Sequence, residues 1–345
     1  MIRYRLFGRR AQRALLVAIG GLVLLTAGTA ALIVDSGRGA RPAVDGPVLP
    51  GWSGIAGNAA LIEIITPDTM FRMERGETGW TMPSRGHYPV RPEYLAELDA
   101  GLESLRYAAA LTRDPERYDR LGVDDPVTGG AGTRLTILDS DGMRLASLVV
   151  GNARGEDGLY IRPAGSERAF AVDGSLPDIA DPARWLGLDF FNIEPSRIGR
   201  AYVVPEQGPA YILERDGPAT RNFELVSPRT WQLITAGAAN GVASAGARVR
   251  FRDAGEAQAD GSRPVALHRA TTFDGLTYEY SFYRSDDMIR ARITIDAANH
   301  DVMDEAAVLR RYVEGFWFAV SADAYERMTR PLEQAAARSV TPVTE

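Results

Sequence analysis

The sequence predicts an α+β fold: a single N-terminal transmembrane helix followed by two related α+β units built mainly of antiparallel strands. Three observations lead there. An uncharged, mostly apolar run, Ala14 to Val34, follows five arginines, Arg3, Arg5, Arg9, Arg10 and Arg13. Beyond it, short segments of strand character alternate with single helical patterns. The order of those segments in the second half, three strands, a helix and then further strands, repeats that of the first.

The apolar run is long enough, as a helix of roughly 30 Å, to cross a bilayer's hydrocarbon core. The arginines before it place the N terminus in the cytoplasm. A signal peptide cleaved after Ala30 is the competing reading, since Gly28 and Ala30 are small, but Leu32, Ile33 and Val34 carry the apolar run past that point. Residues 1–13 are then a basic cytoplasmic segment, 14–34 the anchor, and 35–54, rich in Gly, Pro and Asp, a tether. The first unit is expected over residues 55–194, the second over 195–336, and a tail over 337–345.

In the first unit, Leu61 to Ile65, Met70 to Glu74 and Gly79 to Met82 read as short strands, the last with a buried Trp80. Pro92 and Glu93 open a helix whose Leu95, Leu98, Leu102 and Leu105 recur on one face. Leu135 to Leu138 and Leu145 to Val150 flank Asp141-Gly142, a pair suited to a tight hairpin turn. Tyr160 to Arg162 and Ala169 to Val172 form a second hairpin, and Asp181-Pro182 starts a short helix ending near Trp185-Leu186.

In the second unit, Ala201 to Val204, Tyr211 to Glu214 and Phe223 to Leu225 give three strands, and Pro228 opens a helix through Ala236. Ala247 to Arg252, Tyr278 to Phe282 and Arg290 to Ile295 alternate as half-buried strands do. Glu305 to Val313 suits a helix, Phe316 to Val320 a buried strand, and Ala322 to Ala336 a helix capped by Ser321.

Composition narrows the function. With 45% hydrophobic and 24% charged residues the chain is globular, and its net charge of -6 gives no electrostatic case for nucleic acid. There is no cysteine, hence no disulfide, thiol nucleophile or thiolate metal site. All 39 basic residues are arginine, which removes a Walker lysine, a Schiff-base lysine and a Ser-Lys dyad. The three histidines, His87, His268 and His300, are too scattered for a metal centre, so neither metal nor cofactor is expected. Ser244 misses the nucleophile-elbow spacing, Asp139-Asp141-Gly142 lacks the rest of a calcium loop, and Asp124-Asp125 stands before Pro126, where aspartate favours turn geometry.

One set of residues invites a ligand. Arg248, Arg250 and Arg252 share one face of their segment, with Val249 and Phe251 on the other, and Arg290 and Arg292 repeat the arrangement. If the two strands are neighbours, five guanidinium groups converge on phosphate, carboxylate or an acidic partner. The plain alternative is a solvated face balanced by Glu279, Asp286 and Asp287.

The chain resembles a bacterial family catalogued only as a domain of unknown function, whose members are often encoded beside gliding-type (Gld-like) ABC transporters. The resemblance rests on the N-terminal apolar run, Gly79-Trp80-Thr81-Met82 with Pro89 and the leucine-spaced helix, Leu121-Gly122-Val123-Asp124-Asp125-Pro126, Leu148-Val149-Val150-Gly151, Gly158-Leu159-Tyr160-Ile161-Arg162 and Trp185-Leu186. Where the family usually shows Tyr-Gly-Leu, this chain has Leu-Gly-Val. The resemblance implies a non-enzymatic periplasmic accessory or scaffold subunit of an ABC-type transporter or export complex at the bacterial inner membrane. Its expected partners are permease and substrate-binding-like subunits and membrane lipid, and it carries no catalytic residue across. Gly20, Gly21 and Gly28 offer small surfaces for packing of membrane helices. The rival reading is a periplasmic module that binds an anionic envelope glycan or lipid headgroup through the arginine face.

Overall fold

The computed structural model describes residues 45–257, 261–285 and 288–339. The expected anchor, with Gly20, Gly21 and Gly28, lies outside them; among the described residues no helix is long and apolar enough to cross a membrane. The α+β expectation is corrected: the described chain is mostly antiparallel β-sheet, 40% strand against 23% helix. Helices that the sequence pattern extends are short or missing. Pro228–Ala236 is not helical, because Trp231–Leu233 pairs as a strand with Ala336–Arg338. The same pairing shortens the final helix to Ala322–Met328, although Ser321 caps it as expected, accepting from the amide of Ala324.

The first sheet contains β1 (Gly46–Pro47), β2 (Ala59–Ile65), β3 (Met70–Gly76), β4 (Gly79–Met82), β5 (Tyr88–Pro89), β6 (Arg106–Ala110), β7 (Thr133–Asp139), β8 (Arg144–Ala153), β9 (Gly158–Pro163) and β10 (Phe170–Asp173). Its order is β1-β6-β10-β9-β8-β7-β2-β3-β4-β5. The second sheet contains β11 (Ile198–Val204), β12 (Tyr211–Glu214) and β13 (Glu224–Ser227), then, after the small strand β14 (Trp231–Leu233), β15 (Asp253–Glu256), β16 (Ala266–Thr272), β17 (Leu276–Ser285), β18 (Met288–Ala297) and β19 (Phe316–Val320). Its order is β13-β12-β11-β16-β17-β18-β19-β15.

With β1 and β5 set aside, the two sheets have one strand order. In each, a three-strand meander leads through its first strand to the fifth, sixth, seventh and eighth, and the fourth strand closes the far edge. Trp80, expected in the core, is half-buried.

Each sheet packs one face on the main core. On the first, Leu98 and Leu102 of the helix Pro92–Ser104 lie in the core that also holds Ile62, Met73 and Ile137. On the second, Tyr278, Tyr280 and Phe282 stand at alternate positions of β17, all fully buried, and Phe282 meets Tyr325 of the last helix edge to face at 5.1 Å. The two cores are continuous. Tyr88 of β5 packs on Phe316 and Phe318 of β19 with ring centroids 4.9 and 5.8 Å apart, and Phe190 and Phe191 of the connecting segment join the same aromatic cluster. Arg85 and Asp253 clasp the junction at 2.8 Å.

Candidate functional site

The outer faces of the two sheets differ in what covers them. On the first, the excursion between β6 and β7 folds back as a lid: Val123 is fully buried with Val149, Tyr118 and Ala169 in a small core of their own. Arg162, only 8% exposed, donates from Nε to the carbonyl of Val123 and from Nη1 to that of Ser166, and lies 4.8 Å from the centre of the Tyr118 ring. These contacts hold the guanidinium in a half-apolar setting, where leaving it unpaired would be costly. Asp125 accepts from the amide of Val127, capping a short turn, and pairs with Arg134 at 3.1 Å. Burial, with Asp119 adding, raises the pKa of the Asp124 carboxyl.

The Leu-Gly-Val-Asp-Asp-Pro, Val-Gly and Tyr-Ile-Arg segments, far apart in sequence, therefore meet in one place, and their contacts there are structural. Gly151 shows why glycine is needed: a Cβ there would stand 2.3 Å from the carbonyl oxygen of Leu121 and 2.7 Å from Val123. Gly151→Ala is expected to destabilise the protein by about 2 kcal/mol, since neither backbone can yield without opening the lid. Denaturant unfolding checks this, and a change below about 0.5 kcal/mol would show that the lid adapts.

The second sheet's connection at the same topological place, between β15 and β16, is much shorter. Its outer face is polar, and among the described residues nothing folds back over it. Residues directly opposed on neighbouring strands share a face, so the register fixes what it presents. One row runs Ile212, Tyr202, Arg269, Glu279, Thr294 across β12, β11, β16, β17 and β18. The next runs Glu214, Arg200, Thr271, Thr277, Asp296. Apart from Glu214, these residues line a cleft of about 750 Å³. Arg269 donates to Glu279 at 2.6 Å, Arg200 pairs with Glu214, and the hydroxyls of Thr271 and Thr277 meet at 3.0 Å. Both arginines are about half exposed, 48% and 52%, so these pairs add little stability and can reorganise around a ligand.

The face continues beyond the cleft. Arg292 lies over Tyr283, 5.1 Å from its centre, and Arg290 over Trp317 at 4.3 Å. Trp317 lies close against the β15 backbone, where a Cβ on Gly255 would stand 2.5 Å from the indole. The Nε of Arg290 is buried without a hydrogen-bond partner. Asp253, two strands from Arg290 in the same row, holds Arg85.

Of the five arginines singled out in the sequence, Arg290 and Arg292 lie on this face. The others do not join them. Residues 247–252 make no ladder strand: Val249 and Phe251 are buried as the alternation predicts, but their amides donate to the carbonyls of Phe191 and Leu188 in the connecting segment. Arg248 pairs with Glu194, Arg250 and Arg252 are exposed, and β19 intervenes between this segment and β18, with the amide of Arg252 bonded to the carbonyl of Ala319. Of the balancing acids, Glu279 sits on the face with Arg269, while Asp286 and Asp287 lie outside the described residues. Arg200, Tyr202, Arg269, Tyr283 and Trp317 escaped the sequence reading. Their signal was the polar half of strands whose other half is strongly apolar.

The remaining candidates serve local structure. The Asp139 carboxylate accepts from the amides of Asp141 and Met143 inside the β7–β8 turn. Ser244 donates to the carbonyl of Asn240 at the end of a four-residue helix. Among the described residues no group of three His, Cys, Asp or Glu side chains is placed to hold a metal ion.

Comparison with curated proteins and with solved structures gave no match. The family defined by the domain of unknown function DUF4340 matches residues 80–258, from β4 through the first-sheet lid and just past β15, which is more than half of the 345 residues, and the chain belongs to that family.

Proposed function

We propose that the protein is a non-enzymatic accessory subunit of a Gld-like ABC-type transporter or export complex, working on the periplasmic side of the bacterial inner membrane. The observation that carries this reading is the contrast between the two sheets. They share one strand order, yet on the first a dedicated lid packs over the outer side of β8 and β9, while among the described residues the second leaves a polar face of five strands uncovered. An uncovered concave face with converging polar groups is a recognition surface. The resemblance to chains encoded beside Gld-like transporters supplies the partner class, permease and substrate-binding-like subunits. Polar groups on this face are paired with one another, Arg with Glu and Thr with Thr, which suits binding by exchange of hydrogen bonds.

Affinity purification of the full-length protein from its native membrane in mild detergent tests the assignment. Recovery of an ATPase and a permease subunit in constant ratio is the expected result. Preparations in which no transport subunit accompanies the chain, at several detergent strengths, would overturn it.

A further inference from the structure

The geometry points to an acidic oligosaccharide as the occupant of the second sheet's open face, an inference that rests on the accessory-subunit reading and names the class of molecule that subunit would recognise. The charge inventory excludes a dense polyanion. Four arginines on the face stand among four carboxylates, and the chain as a whole carries a net charge of -6, so nucleic acid or polyphosphate would meet repulsion along most of its length. What fits is a short chain in which several hydroxyl and ring oxygens accompany each carboxylate.

Arg290 is the place for a charge. Among the described residues it has no carboxylate partner, its Nε is buried and unbonded, and its guanidinium lies over the Trp317 ring. A guanidinium held against a ring loses little freedom on binding and offers a planar fork that matches a carboxylate. Arg292 stands on the same face two residues along, roughly 7 Å away, held over Tyr283. The same side of β18 then passes through Thr294 to Asp296, so the face extends roughly 20 Å from the arginines into the cleft. There the threonine hydroxyls, each donor and acceptor, and the paired Arg269–Glu279 match sugar hydroxyls, which are also both.

Titration calorimetry of the full-length protein with hexagalacturonate tests this, with maltohexaose as the neutral sugar and hexaglutamate as the charge without the sugar. Saturable binding of hexagalacturonate alone is expected. Arg290→Gln should weaken it by at least about tenfold, the loss of one charged hydrogen-bonded contact, at an unchanged melting temperature. Arg292→Gln removes the neighbouring cation two residues along the same face and should also weaken binding. Equal binding of maltohexaose or hexaglutamate, no binding of hexagalacturonate, or full affinity in both variants would overturn the inference. The two readings fail separately: hexagalacturonate binding by a protein that recovers no transport subunit overturns the accessory role alone, and transport subunits recovered with a protein blind to hexagalacturonate overturn the ligand alone.

Discussion

Phe318→Ala is expected to cost about 4 kcal/mol of folding stability, among the largest single effects in this protein. Phe318 is fully buried on β19, and its ring meets Tyr88 of the first sheet, Phe190 of the connecting segment and Phe251, the last at 4.6 Å. Truncation leaves a cavity whose walls come from three parts of the chain and are held by other contacts. Tyr88, for example, is fixed by its hydroxyl's bond to the carbonyl of Gly187 at 3.0 Å. The site therefore collapses poorly, and the cavity term adds to the lost transfer energy. Phe318→Leu should cost about 1 kcal/mol, because it keeps most of the volume. Urea unfolding followed by circular dichroism measures both. A loss under about 1 kcal/mol for the alanine variant would mean that the aromatic junction does not hold the two sheets together.

The second large effect is a dependence of stability on pH set by His268. The residue is fully buried on β16, with Nδ1 3.0 Å from the carbonyl of Met328 and Nε2 without a partner. Its neighbours are Tyr280 and, across Gly246, Tyr278, with no carboxylate among the described contacts. Burial pushes its pKa down to about 4 from 6.5, the hydrogen bond to Met328 opposing this only in part. In the unfolded chain the imidazole protonates below its ordinary value, and in the folded chain it stays neutral until the lower one. Stability from this group is thus complete above pH 6.5 and falls as the pH drops from 6.5 toward 4, by about 3 kcal/mol in all. Below that both states are protonated and nothing further is lost. Carboxylates titrate in the lower part of the same window, so the informative quantity is the difference between wild type and His268→Gln, which does not titrate. Urea midpoints measured from pH 7.5 to 4.5 should converge as the wild type weakens, whereas parallel curves would place the imidazole in contact with water.

Much of the local structure was legible in the residues, because strands and turns of this kind are specified at short range. Pro92 and the leucine spacing mark the helix Pro92–Ser104, Asp141-Gly142 marks the β7–β8 turn with Gly142 at φ 77°, and strict alternation marks β17 and β18. Where the pattern misled, a distant partner had the casting vote. Trp231–Leu233 is extended because Ala336–Arg338, a hundred residues later, offers it a ladder. Residues 247–252 alternate as a strand would, yet their amides bond to the segment around Leu188 and Phe191, since β15 has already taken the edge beside β19.

The same division runs through the candidate site. Composition alone removes cysteine and lysine chemistry and argues against nucleic acid, and periodicity alone puts Arg290 and Arg292 on one side of a strand. Whether that side faces solvent is not a property of the strand. It follows from the brevity of the connection between β15 and β16 beside the one that forms the lid between β6 and β7, and from the register that sets Tyr202, Arg269, Glu279 and Trp317 in adjoining rows. The sequence by itself determined which side chains alternate and which chemistries the chain lacks, because those are written in composition and in a two-residue period. Only the tertiary structure decided the predominance of sheet, the shared strand order and the open face, because each depends on pairing between residues that lie far apart in the chain.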